Sequence, residues 1–427
     1  MIQEGQLYLS TATEYVCDRC GARFGLGRAE TLCRSCGGLL EVRYDLSKAP
    51  AELRERAAAA RAENLWRWRE LLPVDQAATP VSLGEGDTPL LAARTLGERL
   101  GLRRLWLKND TLMPTGSFKD RGFSVAVTVA AQLGIRRAFT YSSGNAGASL
   151  AAYAARAGMD AAVLVEYLAS PVKVAAILGY GARVISLRFG SSAEVFNALE
   201  AIAAKAPYSF VNFINPIRHE AMKTYAYEIC EALEWRAPDV MLHPVGTGGG
   251  LYGAWKGFRE LYELGWIDRL PRMIGVQPDT CAPVVEAVER GDAFALPSGD
   301  PSGTIAQSMA CDAPIQQGER VLRAIRESGG TAVAVSDKQL REAMTLLGSE
   351  GILAEPSAAA PLAGLLQCLR AGTVSSADEA VCVITGSALK QPAELTGAVT
   401  RPMAEVHAAD TGQILQVLDD IWLDRRM

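Results

Sequence analysis

The sequence predicts an α/β protein built on parallel sheets, with a small cysteine-held module in front of them. Two observations carry that expectation. From about residue 80, short apolar runs (RLWLKN, RAFTYSS, AAVLVEY, ARVISLRF, VMLHPVG, RMIGVQP and AVCVITG) alternate with helix-like stretches such as GASLAAYAARAG and LYGAWKGFRELYELG. Strand-length runs separated by helix-length segments are the pattern of parallel sheets covered by helices. Ahead of them, Cys17, Cys20, Cys33 and Cys36 form C-x2-C-x12-C-x2-C within residues 13–45. Gly21 and Gly37-Gly38 follow the two pairs and supply permissive backbone for tight knuckles. Four thiolates close a tetrahedral zinc site, and so short a module needs a staple. A metal-free ribbon packed on the main body is the other reading of the same spacing.

Composition narrows the class. A chain of 427 residues has room for two or three domains. With 49% apolar and 21% charged residues, a sizeable core is expected and wholesale disorder is not. A net charge of −5 without long runs of one sign gives no footprint for nucleic acid or an anionic membrane. The first residues lack the basic start and apolar stretch of a signal peptide, and no run of about 18 apolar residues appears. A cytoplasmic location is expected. The nine cysteines fit it, since five are scattered singly. Only three histidines are present, His219, His243 and His407. That disfavours a histidine-based zinc site or a serine–histidine triad and leaves lysine as the leading general base. Residues 48–72 are rich in strong helix formers and predict a helical connector, with Trp66 and Trp68 packing it onto the main body. The alanine-rich ALEAIAAKA predicts a small-residue helix face.

Four motifs could carry chemistry. In Pro114-Thr115-Gly116-Ser117-Phe118-Lys119-Asp120-Arg121-Gly122, turn residues lead into a helix with Lys119 in its first turn. The helix dipole and partial burial both lower a lysine's pKa there, as Schiff-base chemistry requires. A surface lysine beside Asp120 and Arg121 is the plain alternative. Ser142-Ser143-Gly144-Asn145-Ala146-Gly147 joins a strand to a helix with small residues that admit a planar ligand, and Asn145 can donate to a ring oxygen; an ordinary turn would look the same. Gly246-Thr247-Gly248-Gly249-Gly250 feeds a helix N-terminus and presents backbone N–H groups to a phosphate. It lacks the Gly-Lys-Ser/Thr of a P-loop and the spacing of a dinucleotide fingerprint. Finally, Val383 to Lys390 ends the last strand, where Thr385 or Ser387 could offer a hydroxyl at the sheet's carboxyl edge.

Taken in this order, the motifs resemble the threonine synthase family of fold-type II pyridoxal-phosphate (PLP) enzymes. The matching stretches are the cysteine ribbon ending in GGLLEVRYDL, GEGDTPL at 84–90, LKNDTLMPTGSFKDRG at 107–122, SSGNAG at 142–147 and AAYAARAG at 151–158. NPIRHEAMKT at 215–224, RMIGVQP at 272–278, AEPSAAA at 354–360 and ITGSALKQP at 384–392 complete them. The resemblance implies two three-layer parallel-sheet α/β domains with PLP between them, plus the ribbon. The implied division is a ribbon over 1–46 and a connector with the first part of the large domain over 47–108. A smaller domain with Lys119 and Asn145 follows over 109–213, and the remainder of the large domain with the phosphate loop over 214–427. Lys119 is then the Schiff-base lysine, flanked by Phe118 at the cofactor. Asn145 contacts the ring hydroxyl, Gly246, Thr247, Gly248, Gly249 and Gly250 hold the cofactor phosphate, and Thr385 bonds the pyridine nitrogen. Ser142, Ser143 and Arg218 are implied to bind substrate. The expected partner is a small amino-acid substrate, in a homodimer, with neither nucleic acid nor membrane.

Departures from the family pattern bear on the reaction. A threonine hydroxyl is missing at Ala146, and Phe213 stands where the family carries serine. The loop reads GTGGG rather than GNAGN, closer to cysteine synthases and serine or threonine dehydratases, and TGHGLK becomes Thr385-Gly386-Ser387-Ala388-Leu389-Lys390. Arg218 is retained. The best single expectation is O-phosphohomoserine plus water giving threonine and phosphate. The departures predict either weak turnover of that substrate or a preference for another amino acid. Serine or threonine deamination, β-replacement of the cysteine or cysteate synthase kind, and a non-catalytic PLP-fold binding protein are the alternatives.

Overall fold

The computed structural model describes residues 10–142, 144–167, 171–188, 198–199, 201–202, 209–212, 214–398 and 411–423. Ser143, Phe213 and most of ALEAIAAKA lie outside the described residues.

The cysteine module is a three-stranded antiparallel sheet of β1 (Ala12–Cys17), β2 (Arg23–Phe24) and β3 (Leu40–Tyr44), in the order β2-β1-β3. The chain then lays down β4 (Leu90–Ala92) and β5 (Arg104–Asn109). It next builds a separate sheet from β6 (Arg137–Tyr141), β7 (Asp160–Glu166), β8 (Arg183–Leu187) and β9 (Ser209–Phe210), all parallel in the order β8-β7-β6-β9. It returns with β10 (Val240–Pro244), β11 (Arg272–Pro278), β12 (Thr331–Val335) and β13 (Glu379–Ile384) to complete a six-stranded sheet, β12-β11-β10-β13-β5-β4. Only β4 runs antiparallel in that sheet. Every apolar run of the sequence therefore forms a strand of a parallel sheet. The sequence pattern did not single out β4, β9 or β12. The first two are very short, and β12 is an edge strand whose alanines carry little β preference.

Alternation along the central strands sorts the core into layers. On β13, Val381 and Val383 join the cluster with Phe258 and Leu251 of the helix Gly249–Glu263, while Ala380, Cys382 and Ile384 join Ala359, Leu362 and Ala363 of the helix Pro356–Ala371. All six residues of β13 are buried, as expected for a strand covered on both faces. Among the described residues no helix is long and apolar enough to cross a membrane.

The connector is not one helix. A 3-10 turn at Leu46–Lys48 precedes the helix Leu53–Ala59, and helical turns over Arg61–Leu71 are broken at Asn64, which sits at φ 53°. The break turns Trp66 and Trp68 inward. Trp66 Nε1 donates to Glu85 at 2.8 Å and to Ser124 at 3.1 Å, and Trp68 packs in the core with its ring centroid 5.4 Å from that of Tyr227. Composition set the helix-forming tendency, but tertiary anchoring of two indoles decided the path.

Candidate functional site

Lys119 opens the helix Lys119–Gln132, and a buried ionic clamp just behind it sets where that helix begins. Arg121 Nε and Nη2 donate to Asp110 at 2.9 and 3.0 Å, and Nη2 donates to Glu228 at 2.8 Å. Asp110 also accepts from Tyr225 and Glu228 from Lys108, both at 2.6 Å, so two cations face two carboxylates. On the other side, Asp120 accepts from the Thr115 amide and hydroxyl at 2.7 Å and from Ser149 at 2.6 Å. Satisfied networks of this kind hold one backbone geometry. The turn before the helix, with Gly116 at φ 74°, is clipped to the end of β13: Phe118 N donates to Thr385 O at 2.8 Å, and Ser387 N donates to Gly116 O at 3.0 Å.

The other motifs arrive at the same place because all follow the carboxyl ends of parallel strands. Ser142 and Asn145 follow β6, Gly246 to Gly250 follow β10, and Thr385 follows β13. Together with Phe118, Lys119 and Arg218 they line one cleft of about 680 Å³. Ala146 lines it too, without a hydroxyl to offer. The glycines of the loop are required by close packing. A Cβ on Gly248, which sits at φ 83°, would come within 2.5 Å of Val321; one on Gly249 within 2.8 Å of His219; one on Gly250 within 2.4 Å of His243. No side chain fits at these three glycines, so there the loop meets the cleft with backbone, and Thr247 is the one side chain it carries.

Burial sets the charges. It pushes the Lys119 amine down to about 7, with the Arg218 guanidinium adding to the shift and Glu355 opposing it. Arg218 is 5% exposed, and burial pushes it down as well, though a guanidinium stays charged at neutral pH. It lies over the Phe123 ring at 4.3 Å, and its Nε has no hydrogen-bond partner among the described residues. Burial lowers His243 to about 4, so its ring is neutral, with Nδ1 donating to Pro244 O at 2.8 Å.

Sequence reasoning missed several residues that the fold brings into the cleft: Glu355, His243, Lys173, Asn212 and Ser357. Glu355 accepts from Asn145 Nδ2 at 2.7 Å, and burial pushes its carboxyl up. Its signal in the sequence was weak, a glutamate before Pro356 where a helix cap is expected, although glutamate caps poorly and makes no cap bond here. Asn145 therefore spends its amide N–H on Glu355 and keeps Oδ1 unpartnered among the described residues. Glu355 Oε2, His243 Nε2, Thr140 Oγ1 and Ser357 Oγ, all on the cleft, are buried without partners there as well. So many orphaned polar atoms around one cleft call for a polar guest.

Residues 81–386 match the family described as pyridoxal-phosphate dependent enzymes. The chain is 39% identical over 378 residues to a threonine synthase of Methanocaldococcus jannaschii, covering 88% of this chain and 92% of that one. It belongs to the threonine synthase family of PLP-dependent enzymes. A threonine synthase of Mycobacterium tuberculosis is 40% identical over 328 residues, covering 76% of this chain and 88% of that one. Among solved structures, a threonine deaminase from T.th. matches with a TM-score of 0.60 at 26% identity, covering 75% of this chain and 94% of that chain. The protein is thus a PLP-dependent enzyme of the threonine synthase-like lyase class. The cleft fits the cofactor: a glycine-rich loop at a helix N-terminus for a phosphate, a buried amine for an aldehyde, and unpartnered polar atoms around the space between.

A pH dependence follows from the lysine. Only a neutral amine attacks an aldehyde, and the amine becomes neutral as pH rises through its pKa. Apoenzyme mixed with PLP should acquire its bound-cofactor absorbance at a rate that climbs through about pH 7 and levels off above it. A midpoint near 10.5, the ordinary lysine value, would show that the burial does not act on Lys119.

Proposed function

We propose that this enzyme converts O-phosphohomoserine and water to threonine and phosphate, with Lys119 carrying the cofactor. Arg218 is the observation that supports the reading most. A guanidinium buried in the cleft, with no carboxylate partner among the described residues, is costly unless an anion joins it, and a planar fork suits phosphate. In this reading the Gly246–Gly250 loop holds the cofactor phosphate, Asn145 stands at the ring hydroxyl and Thr385 at the pyridine nitrogen. Bound PLP supplies an electron sink that acidifies the C–H bonds next to the substrate's amino group. Lys119, substantially unprotonated near pH 7, takes the α-proton and then a β-proton so that the γ-phosphate can leave, and is placed to return protons to the γ- and α-carbons as water adds at the β-carbon. Arg218 binds the substrate phosphate and neutralises its departing charge.

The hydroxyl missing at Ala146 is offset by other donors on the cleft. Ser142 and Asn212 line it, and so does Lys173. The stem of Lys173 lies 4.0 Å from a Cβ built on Gly144, beside the Ser142–Gly147 wall. A dianion needs several such groups. Deamination of serine or threonine is the second reading, favoured by Ala146 and the glycine-rich loop. A panel of O-phosphohomoserine, O-phosphoserine, serine and threonine, with phosphate, ammonia and oxoacid all followed, separates the two. Phosphate release matched by threonine supports the first reading, and ammonia matched by oxoacid the second. We propose a homodimer as the working unit; a sedimentation mass of one chain would exclude it.

The ribbon is proposed to hold one structural zinc. The four cysteine sulfurs lie within 4.8 Å of one another, with Cys17–Cys36 at 3.5 Å and Cys20–Cys33 at 3.6 Å. Tetrahedral Zn–S bonds of about 2.3 Å would set the sulfurs about 3.8 Å apart, so the set fits the ion. Four protein ligands leave no open position for catalysis. Metal analysis of protein never exposed to chelator should find about one zinc per chain; less than about a tenth of that would mean a metal-free ribbon.

A further inference from the structure

The glycine loop does not stand alone: it rests on side chains that the cysteine ribbon reaches. Asp18 lies in the first knuckle between Cys17 and Cys20, and Arg320 Nε donates to it at 2.5 Å, with side-chain exposures of 6% for the arginine and 5% for the aspartate. On the far side of the same guanidinium, Nη1 lies 3.0 Å from His219 Nδ1. Arginine can only donate, so Nδ1 of the His219 ring is the acceptor of this bond. That ring is what a Cβ on Gly249 would strike, and Val321, next in the chain to Arg320, is what a Cβ on Gly248 would strike. The floor under the first turn of the loop is therefore His219 and Val321, one bonded to Arg320 and the other its neighbour. A small cavity of about 20 Å³, room for a single water, separates Leu39 of the ribbon from the loop and is lined by Arg320 and His219. The ribbon also grips the helix that the loop begins, since Tyr252 donates to Glu41 and Lys256 donates to Val42 O, each at 2.5 Å.

We propose that Arg320, held by Asp18, is a positioning residue through which the ribbon sets the shape of the Gly248–Gly249 turn and hence its affinity for the cofactor phosphate. The proposal rests on the reading that the Gly246–Gly250 loop takes that phosphate. Its physical basis is the narrow distance range of N–H···O bonds: an imidazole that shifts under Gly249 when its Arg320 bond is lost lets amide groups drift out of reach of the anion. Neither Asp18 nor Arg320 lines the cleft where the reaction occurs.

The test compares two ligands on the same apoenzymes. Wild type, Asp18→Asn, Arg320→Lys and Arg320→Met are titrated with PLP and with pyridoxal, which has the aldehyde and lacks the phosphate, following the absorbance of the bound form. Thermal melting of each protein is recorded alongside. The expected result is a loss of PLP affinity of about tenfold or more in Asp18→Asn and Arg320→Met, with pyridoxal affinity unchanged within about twofold and Arg320→Lys in between. Parallel loss for both ligands, or no loss for either, overturns the positioning role. Asp18→Asn keeps the side chain's shape, so the comparison stands if Arg320→Met does not fold. If wild type itself binds PLP no better than pyridoxal, the reading of the glycine loop fails first, and the positioning role with it.

Discussion

Lys119→Ala is expected to lower turnover by at least about 10³-fold and to abolish reduction of the cofactor onto the chain by borohydride. Two functions are lost together. The amine is a buried group beside the cofactor space whose pKa, about 7, suits both attack on an aldehyde and proton transfer at neutral pH. The substitution should not collapse the fold. The clamp that starts the helix is made by Asp120 and Arg121, not by Lys119, whose ammonium lies over the Phe118 ring at 4.2 Å. Removing a base that burial already discourages from charging relieves a desolvation cost, so the melting temperature of apoenzyme should hold or rise. Peptide mapping after reduction of wild type should find the label on Lys119. A label elsewhere, or a variant that keeps wild-type rates, would remove the lysine from its proposed role.

Arg218→Met should cut kcat/KM for O-phosphohomoserine on the order of 10²–10⁴-fold, since hydrogen bonds to a charged group contribute about 1.5–3 kcal/mol each and the guanidinium can make two. Any slow reaction with serine or threonine, which carry no phosphate, should change far less. Stability should move the other way. Burial alone accounts for the depressed Arg218 pKa and no carboxylate among the described residues offsets it, so methionine of similar volume removes an uncompensated charge. A variant with lower activity and an equal or higher melting temperature would mark Arg218 as a residue kept for its ligand. Equal losses on all substrates, together with a lower melting temperature, would mark it as structural.

Much of this could be read from residue order. The strands β5, β6, β7, β10, β11 and β13 were legible because a parallel sheet covered by helices leaves near-continuous apolar runs, whereas β8, an edge strand with no buried residue, was legible from its β-branched Val184 and Ile185. The glycine loop was legible because Gly248, Gly249 and Gly250 each exclude a side chain. What the sequence hid depended on distance along the chain. Glu355 reaches Asn145 across 210 residues, and Asp18 reaches Arg320 across 302. No local pattern announces either pair. The connector shows a different limit. Its helix-forming residues say nothing of Asn64, where the chain breaks so that Trp66 and Trp68 can both be buried. Lys173 and Asn212 escaped notice because each is one polar residue with no motif around it, and only the fold brings them to the cleft.

The most direct measurement is of the steady-state products that purified holoenzyme forms from O-phosphohomoserine. Threonine and inorganic phosphate are expected in equal amounts, with kcat/KM higher than for O-phosphoserine, serine or threonine and in the ordinary enzymatic range of about 10⁴ M⁻¹s⁻¹ or more. Ammonia and an oxoacid from serine or threonine, formed faster than threonine from O-phosphohomoserine, would contradict this and make the Ala146 cleft a deaminase site.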